Sequence, residues 1–231
     1  MKKWHTQHGE TIIQLLAGRS NVFLLTKDQR NVLVDTGPSR KWKSLQRKLQ
    51  ALNIQRIDYL ILTHTHFDHA ANAYRIKEKY KAKVIVHRNE AAMLASGTNI
   101  LPCGTNALSH MLVKLLTKGM VRRLNYHPCP CDLQVDTVFD LNAYGSNAYI
   151  LHTPGHTPGS MSLIVDNELA IVGDAMFGIW KGSVFPPFAN DVAMMVKSWG
   201  KLLETGCRLF FPAHGSLNSR MLLQKEFDNR I

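Results

Sequence analysis

The spacing of hydrophobic and polar positions changes several times along the 231-residue chain, and each change marks an element. Residues 22–25 and 32–35 are short apolar runs separated by Lys27-Asp28-Gln29-Arg30, a pattern that predicts two strands joined by a turn. Trp42, Leu45, Leu49 and Leu52 then recur at helical spacing among Lys and Arg, which predicts an amphipathic helix. A buried strand at 57–62, a helix over 70–80 and a short strand at 84–87 follow. Further on, strands are expected at 135–141, 148–152, 162–165 and 169–172, spaced like a meander. A helix is expected over 191–205, a strand at 208–211 and a last helix over 219–230. Both halves run strands, helix, strand, helix, an order that implies a layered α/β core.

Segment 89–131 breaks this rhythm. It holds helical material around 90–94 and 107–116, punctuated by Gly97, Pro102, Gly104, Pro128 and Pro130. It reads as an insertion within one domain spanning 1–231, either a lid or substrate-binding element or a helical pair covering the core.

Composition narrows the class. Hydrophobic residues at 45% with 19% charged exclude disordered, collagen-like and disulfide-framework chains. No apolar run approaches the roughly 18 residues that cross a bilayer, and Met1-Lys2-Lys3-Trp4-His5 leads into polar residues. Cys103, Cys129, Cys131 and Cys207 form no framework, which fits a reducing compartment. The expectation is a cytoplasmic protein without a membrane partner. The net charge of +11 points to an anionic partner.

Histidine placement says more than charge. The stretch Thr63-His64-Thr65-His66-Phe67-Asp68-His69 lies where the strand at 57–62 ends. Imidazole and carboxylate in this density suit zinc, and iron or manganese also accept such ligands. Six residues cannot complete two coordination shells, so further ligands must come from other strand ends. Pro154-Gly155-His156-Thr157-Pro158-Gly159, Val172-Gly173-Asp174 and Pro212-Ala213-His214-Gly215 each follow a predicted strand. By contrast, His5, His8, His87, His110, His127 and His152 are isolated and read as structural. Cys129-Pro130-Cys131 has neither the spacing nor the partner pair of a zinc ribbon.

These ordered motifs, from Asp35-Thr36-Gly37 to His214, resemble those of the metallo-β-lactamase-fold hydrolases. The resemblance implies a four-layer αβ/βα sandwich with two divalent metal ions at the sheet edges. It implies that His64, His66 and His156 hold one ion, that Asp68, His69 and His214 hold the other, and that Asp174 bridges them. Asp68 and Asp174 are then the catalytic carboxylates. Asp35 is assigned outside the ligand set, orienting a ligand through a hydrogen bond. Two ions about 3.5–4 Å apart can activate a hydroxide and polarise a carbonyl.

The substrate is narrower than the family. The β-lactam-cleaving members generally lack a bridging aspartate, so Asp174 points away from them. Quorum-signal lactonases carry a tyrosine three residues after that aspartate, where this chain has Phe177. Hydroxyacylglutathione hydrolases add a helical C-terminal region, whereas 17 residues follow His214 here. Lys114, Lys118, Arg122 and Arg123 of the insertion can offer a positive wall instead. The reading is a hydrolase of a small, anionic ester, thioester or lactone. The alternative is a phosphodiesterase or nuclease, drawn from the basic runs Arg40, Lys41, Lys43, Arg47, Lys48 and Lys77, Lys79, Lys81, Lys83. Neither run interleaves aromatic residues, which argues against a nucleic acid partner. A di-iron oxidoreductase ranks below these because no flavin domain accompanies the motifs.

Overall fold

A computed structural model describes residues 1–18, 20–117, 124–142 and 145–231. Two mixed sheets face each other, and a layer of helices covers each outer face. In the first sheet β1 (Lys3–His5), β2 (Thr11–Leu16), β3 (Val22–Lys27) and β4 (Arg30–Val34) are antiparallel neighbours. The parallel strands β5 (Tyr59–Ile61), β6 (Lys83–His87) and β7 (Leu133–Val135) continue it from β4. The second sheet runs β13 (Asn218–Ser219), β12 (Leu209–Pro212), β11 (Leu169–Gly173), β10 (Met161–Val165), β9 (Ala148–His152), β8 (Val138–Asp140). Its one parallel pair is β11 with β12.

The period-two alternation of the strands creates three apolar layers. Phe23 and Leu25 of β3 and Val32 and Val34 of β4 point between the sheets, meeting Leu163, Val165, Ile171 and Phe211. Their neighbours Val22, Leu24 and Leu33 point the other way, onto α1 (Trp42–Ala51) and α3 (Ala73–Tyr80) through Leu45, Leu49 and Ile76. Ile164, Ala170, Val172 and Phe210 of the second sheet pack on α6 (Val192–Glu204) and α7 (Arg220–Asp228), with Trp199 fully buried among them. The expected four-layer α/β sandwich is therefore present.

Three local expectations change. The strand expected at 135–141 is two strands, because Asp136 and Thr137 carry the chain from β7 in one sheet to β8 in the other. The helix expected over 70–80 is α2 (Phe67–Ala70) followed by α3. Asn72 separates them: its side-chain amide donates to the carbonyls of Thr36, Gly37 and Pro38, and its backbone leaves the helical region at φ −109°, ψ 12°. Finally, β1, β2 and β13 join the sheet edges although the apolar pattern did not mark them.

Segment 89–131 begins inside α4 (Arg88–Ser96) and includes α5 (Ala107–Thr117). Its middle pairs with residues 186–189, with the Thr105 amide donating to the Pro187 carbonyl and the Ala189 amide to the Cys103 carbonyl, both at 2.9 Å. Among the described residues no helix is long and apolar enough to cross a membrane. Cys129 and Cys207 are buried free thiols, which burial pushes up to about 11.

Candidate metal centre

Every motif singled out in the sequence lies at one edge of the sandwich. Asp35 follows β4, His64, His66, Asp68 and His69 follow β5, His156 lies between β9 and β10, Asp174 follows β11 and His214 follows β12. Tight backbone geometry sets these loops. Gly173 has φ +53°, and a Cβ there would strike the Thr63 side chain, so a residue without one lets β11 turn directly into Asp174.

All seven predicted ligands converge. The ligand atoms of His64, His66 and His156 lie within 4.8 Å of one another, as do those of Asp68, His69 and His214. Asp174 lies between the two groups. Its Oδ2 is 3.4 Å from His156 Nε2 and 3.2 Å from His214 Nε2, and its Oδ1 is 3.6 Å from His69 Nε2. Three of these atoms, His64 Nε2, His69 Nε2 and Asp174 Oδ1, are buried without a hydrogen-bond partner. Leaving buried polar atoms unpaired costs about 1–3 kcal/mol each, and a coordinated cation supplies the missing partner. The donor set fits divalent metal ions.

A family model, the metallo-β-lactamase superfamily, matches residues 15–214. The chain belongs to the metallo-β-lactamase superfamily. It is a metal-dependent hydrolase. A probable metallo-hydrolase of Methanocaldococcus jannaschii is 30% identical over 87% of this chain and 90% of its own length. An atrochrysone carboxyl ACP thioesterase of Aspergillus fumigatus is 24% identical over 91% of the chain and 56% of that protein. A metallo-β-lactamase family protein from Thermus thermophilus superposes with a TM-score of 0.70 at 20% identity, covering 94% of this chain and 78% of that one. That last likeness concerns the fold.

Charge in this superfamily site is balanced within the cluster. Burial and the neighbouring imidazoles lower His64 and His66, and burial lowers His156 despite Asp174. Burial also opposes charge on His69, but Asp174, Asp68 and Asp35 outweigh it and push His69 up to about 10. His214 rises in the same way, through Asp174 and Asp68. Burial disfavours the Asp174 carboxylate, yet His214, His69 and His156 hold it well below the usual range. The two halves thus differ: three imidazoles held low on one side, two raised by facing carboxylates on the other.

Asp35 is in neither group of clustered ligand atoms but touches His69 from behind. Its carboxylate accepts from the Thr63 amide at 2.8 Å, from the Thr63 hydroxyl and from His69 Nδ1 at 2.8 Å, leaving His69 Nε2 to face Asp174. His156 is turned likewise, since its Nδ1 donates to the Phe188 carbonyl at 2.9 Å. Phe177 packs on the His214 ring with centroids 4.5 Å apart.

Several contributors escaped the sequence reading. Ser20 donates to Asp68 Oδ2 at 3.3 Å, and the Asn21 amide donates to the carbonyls of Pro212 and Gly215 on either side of His214. Trp199 Nε1 donates to the Ala175 carbonyl beside Asp174. None lies near a ligand motif in sequence, so spacing carried no signal. Among the isolated histidines, His87 caps α4 by accepting from the Asn89 amide and stacks on His152. Of the insertion's basic residues, Lys118, Arg122 and Arg123 lie outside the described residues, and Lys114 is on α5.

Asp35→Ala removes the acceptor of three buried donors and puts alanine, which tolerates left-handed backbone less well than aspartate, at a φ of +61°. It is expected to destabilise the metal-free protein by about 3–5 kcal/mol, measured by guanidinium unfolding, and Asp35→Asn by less.

Proposed function

We propose that this chain is one hydrolase domain with a dinuclear metal centre that cleaves a small, anionic ester or thioester. The observation that carries the reading is the position of Asp174 between two ligand groups, within 3.2–3.6 Å of an imidazole nitrogen from each side. In this reading His64, His66 and His156 hold the first ion, Asp68, His69 and His214 the second, and Asp174 both. Zinc suits the donors, as do iron and manganese. When bound, such a pair lowers the pKa of water and polarises an acyl carbonyl.

The remaining chemistry belongs to the side chains. Asp68 is the more open carboxylate, 19% exposed against 5% for Asp174, and Ser20 holds one of its oxygens. It is the group placed to take a proton from water. Asp174 keeps its negative charge and stays in the ligand set. Phe177 offers a flat apolar wall beside His214 with no hydroxyl to assist a leaving oxygen, which favours esters and thioesters over lactones. Beside Ser20, Arg40 and Lys41 line a groove of about 230 Å³ with Leu16, Ala17 and Pro38, a place for an anionic substituent. The thioesterase among the relatives supports the acyl reading.

Protein purified and reconstituted with zinc, iron or manganese is expected to carry about two ions per chain by plasma emission. A panel of thioesters, esters, lactones, β-lactams and bis-nitrophenyl phosphate is expected to give turnover on acyl substrates, and turnover confined to the phosphodiester would overturn the acyl assignment. Asp174→Ala is expected to lose metal and activity together while its circular dichroism stays native-like.

Uptake should also separate by pH. His64, His66 and His156 are lowered and already neutral near pH 7, so filling their site is expected to vary little between pH 6 and 8. His69, at about 10, must give up a proton, and His214 is raised in the same direction. Affinity for the second ion is therefore expected to rise with pH, about tenfold per unit for each displaced proton. Stepwise titration against a competing chelator at pH 6, 7 and 8 measures both.

A further inference from the structure

Thr65 stands between His64 and His66, just ahead of the extended backbone of His66 (φ −63°, ψ 154°). It is buried, and all three of its polar groups are taken up by segment 89–131. Its amide donates to Glu90 Oε2 at 3.0 Å, its hydroxyl donates to the same oxygen, and its carbonyl accepts from the Tyr126 hydroxyl at 2.7 Å. Two residues on, the Phe67 amide, at the unpaired start of α2, donates to Asn99 Oδ1 at 2.9 Å. Glu90 is 0% exposed and lies in the first turn of α4, where the helix dipole favours a carboxylate.

These three residues come from a braced stem. The Tyr126 amide donates to the Gly97 carbonyl and the Cys129 amide to the Leu94 carbonyl, each at 3.0 Å, while Asn125 Oδ1 accepts from the Asn99 amide. Gly97 takes φ +69° directly under the Tyr126 carbonyl, where a Cβ would collide. The middle of the same segment holds residues 186–189, whose Phe188 carbonyl takes the His156 Nδ1 proton. The backbone that carries His64 and His66 and the ring of His156 thus bond to this segment or to residues it holds, while the His64 ring itself meets the Thr63 hydroxyl at 3.2 Å.

We propose that Glu90, Asn99 and Tyr126 are positioning residues: the roots of the 89–131 segment clamp the His64-Thr65-His66 turn and fix the aim of its two imidazoles. The segment then shapes the first metal site in addition to any role at its rim. This rests on the metal-centre assignment made above.

The test is zinc affinity by chelator competition and the visible spectrum of the cobalt-loaded protein, on Glu90→Leu, Glu90→Gln, Asn99→Ala and Tyr126→Phe. Partners that orient metal ligands typically change affinity about 10–100-fold. Glu90→Leu is expected within that range, and Tyr126→Phe and Asn99→Ala at several-fold, each with an altered cobalt band. Glu90→Gln is expected to stay within about threefold, since a carbonyl oxygen can still accept both Thr65 donors. Unfolding of the metal-free proteins separates a folding defect from misaimed ligands, and if Glu90→Leu does not fold, Tyr126→Phe and Asn99→Ala decide. Unchanged affinity and spectrum in these folded variants would overturn the clamp, as would a Glu90→Gln as weak as Glu90→Leu. Wild-type protein that takes up no metal would instead refute the metal centre itself.

Discussion

Five imidazoles and two carboxylates brought out of water at one edge of a sandwich can coexist only if their charges cancel locally. Asp174 is the centre of that cancellation. It contacts His69, His156 and His214 at once, and its charge raises His69 and His214 in a place where burial alone would lower them. Removing charged groups from water costs several kcal/mol each unless they are paired. The site therefore constrains the fold as much as the fold builds the site. Divalent ions fit the same arrangement by replacing protons on one side and filling unpaired lone pairs on the other.

The sandwich meets this demand through its topology. Strands of both sheets end at the same edge, so loops distant in sequence arrive together without long excursions. Apolar alternation anchors each strand: β3 sends Phe23 and Leu25 inward and Leu24 outward, fixing its register and so the height at which neighbouring loops emerge. The loops are then tied by polar side chains whose partners are main-chain groups. Asn21 braces both sides of His214, Thr36 accepts from the Asn72 amide and donates to the His69 carbonyl, and Asn72 secures 36–38. Such bonds hold backbone and leave the ring nitrogens of His69 and His214 uninvolved.

Much of this was legible in the chain. Long apolar runs such as 162–165 and 169–172 became strands, and the helical spacing of Leu45 and Leu49 became a buried helical face. The misreadings have a common cause. A three-residue strand such as Lys3–His5 carries too few positions to show a period, and its pairing with β2 exists only across space. The run at 135–141 has strand character throughout, but periodicity does not state which sheet a strand joins. The break between α2 and α3 depends on Asn72 reaching carbonyls more than thirty residues away.

At the site, the family and the metal-binding residue types were legible in the chain, because they cluster in short motifs at strand ends and that clustering survives in one dimension. Asp35, which the motif order also marked, bonds to Thr63 and His69. How those motifs are held depends on contacts that form across space. Ser20, Glu90, Tyr126 and Phe188 act on ligand loops from up to 61 residues away along the chain, through single hydrogen bonds that any Ser, Glu, Tyr or backbone carbonyl can make. Their residue types carry no local signature, and their meaning comes entirely from where folding puts them.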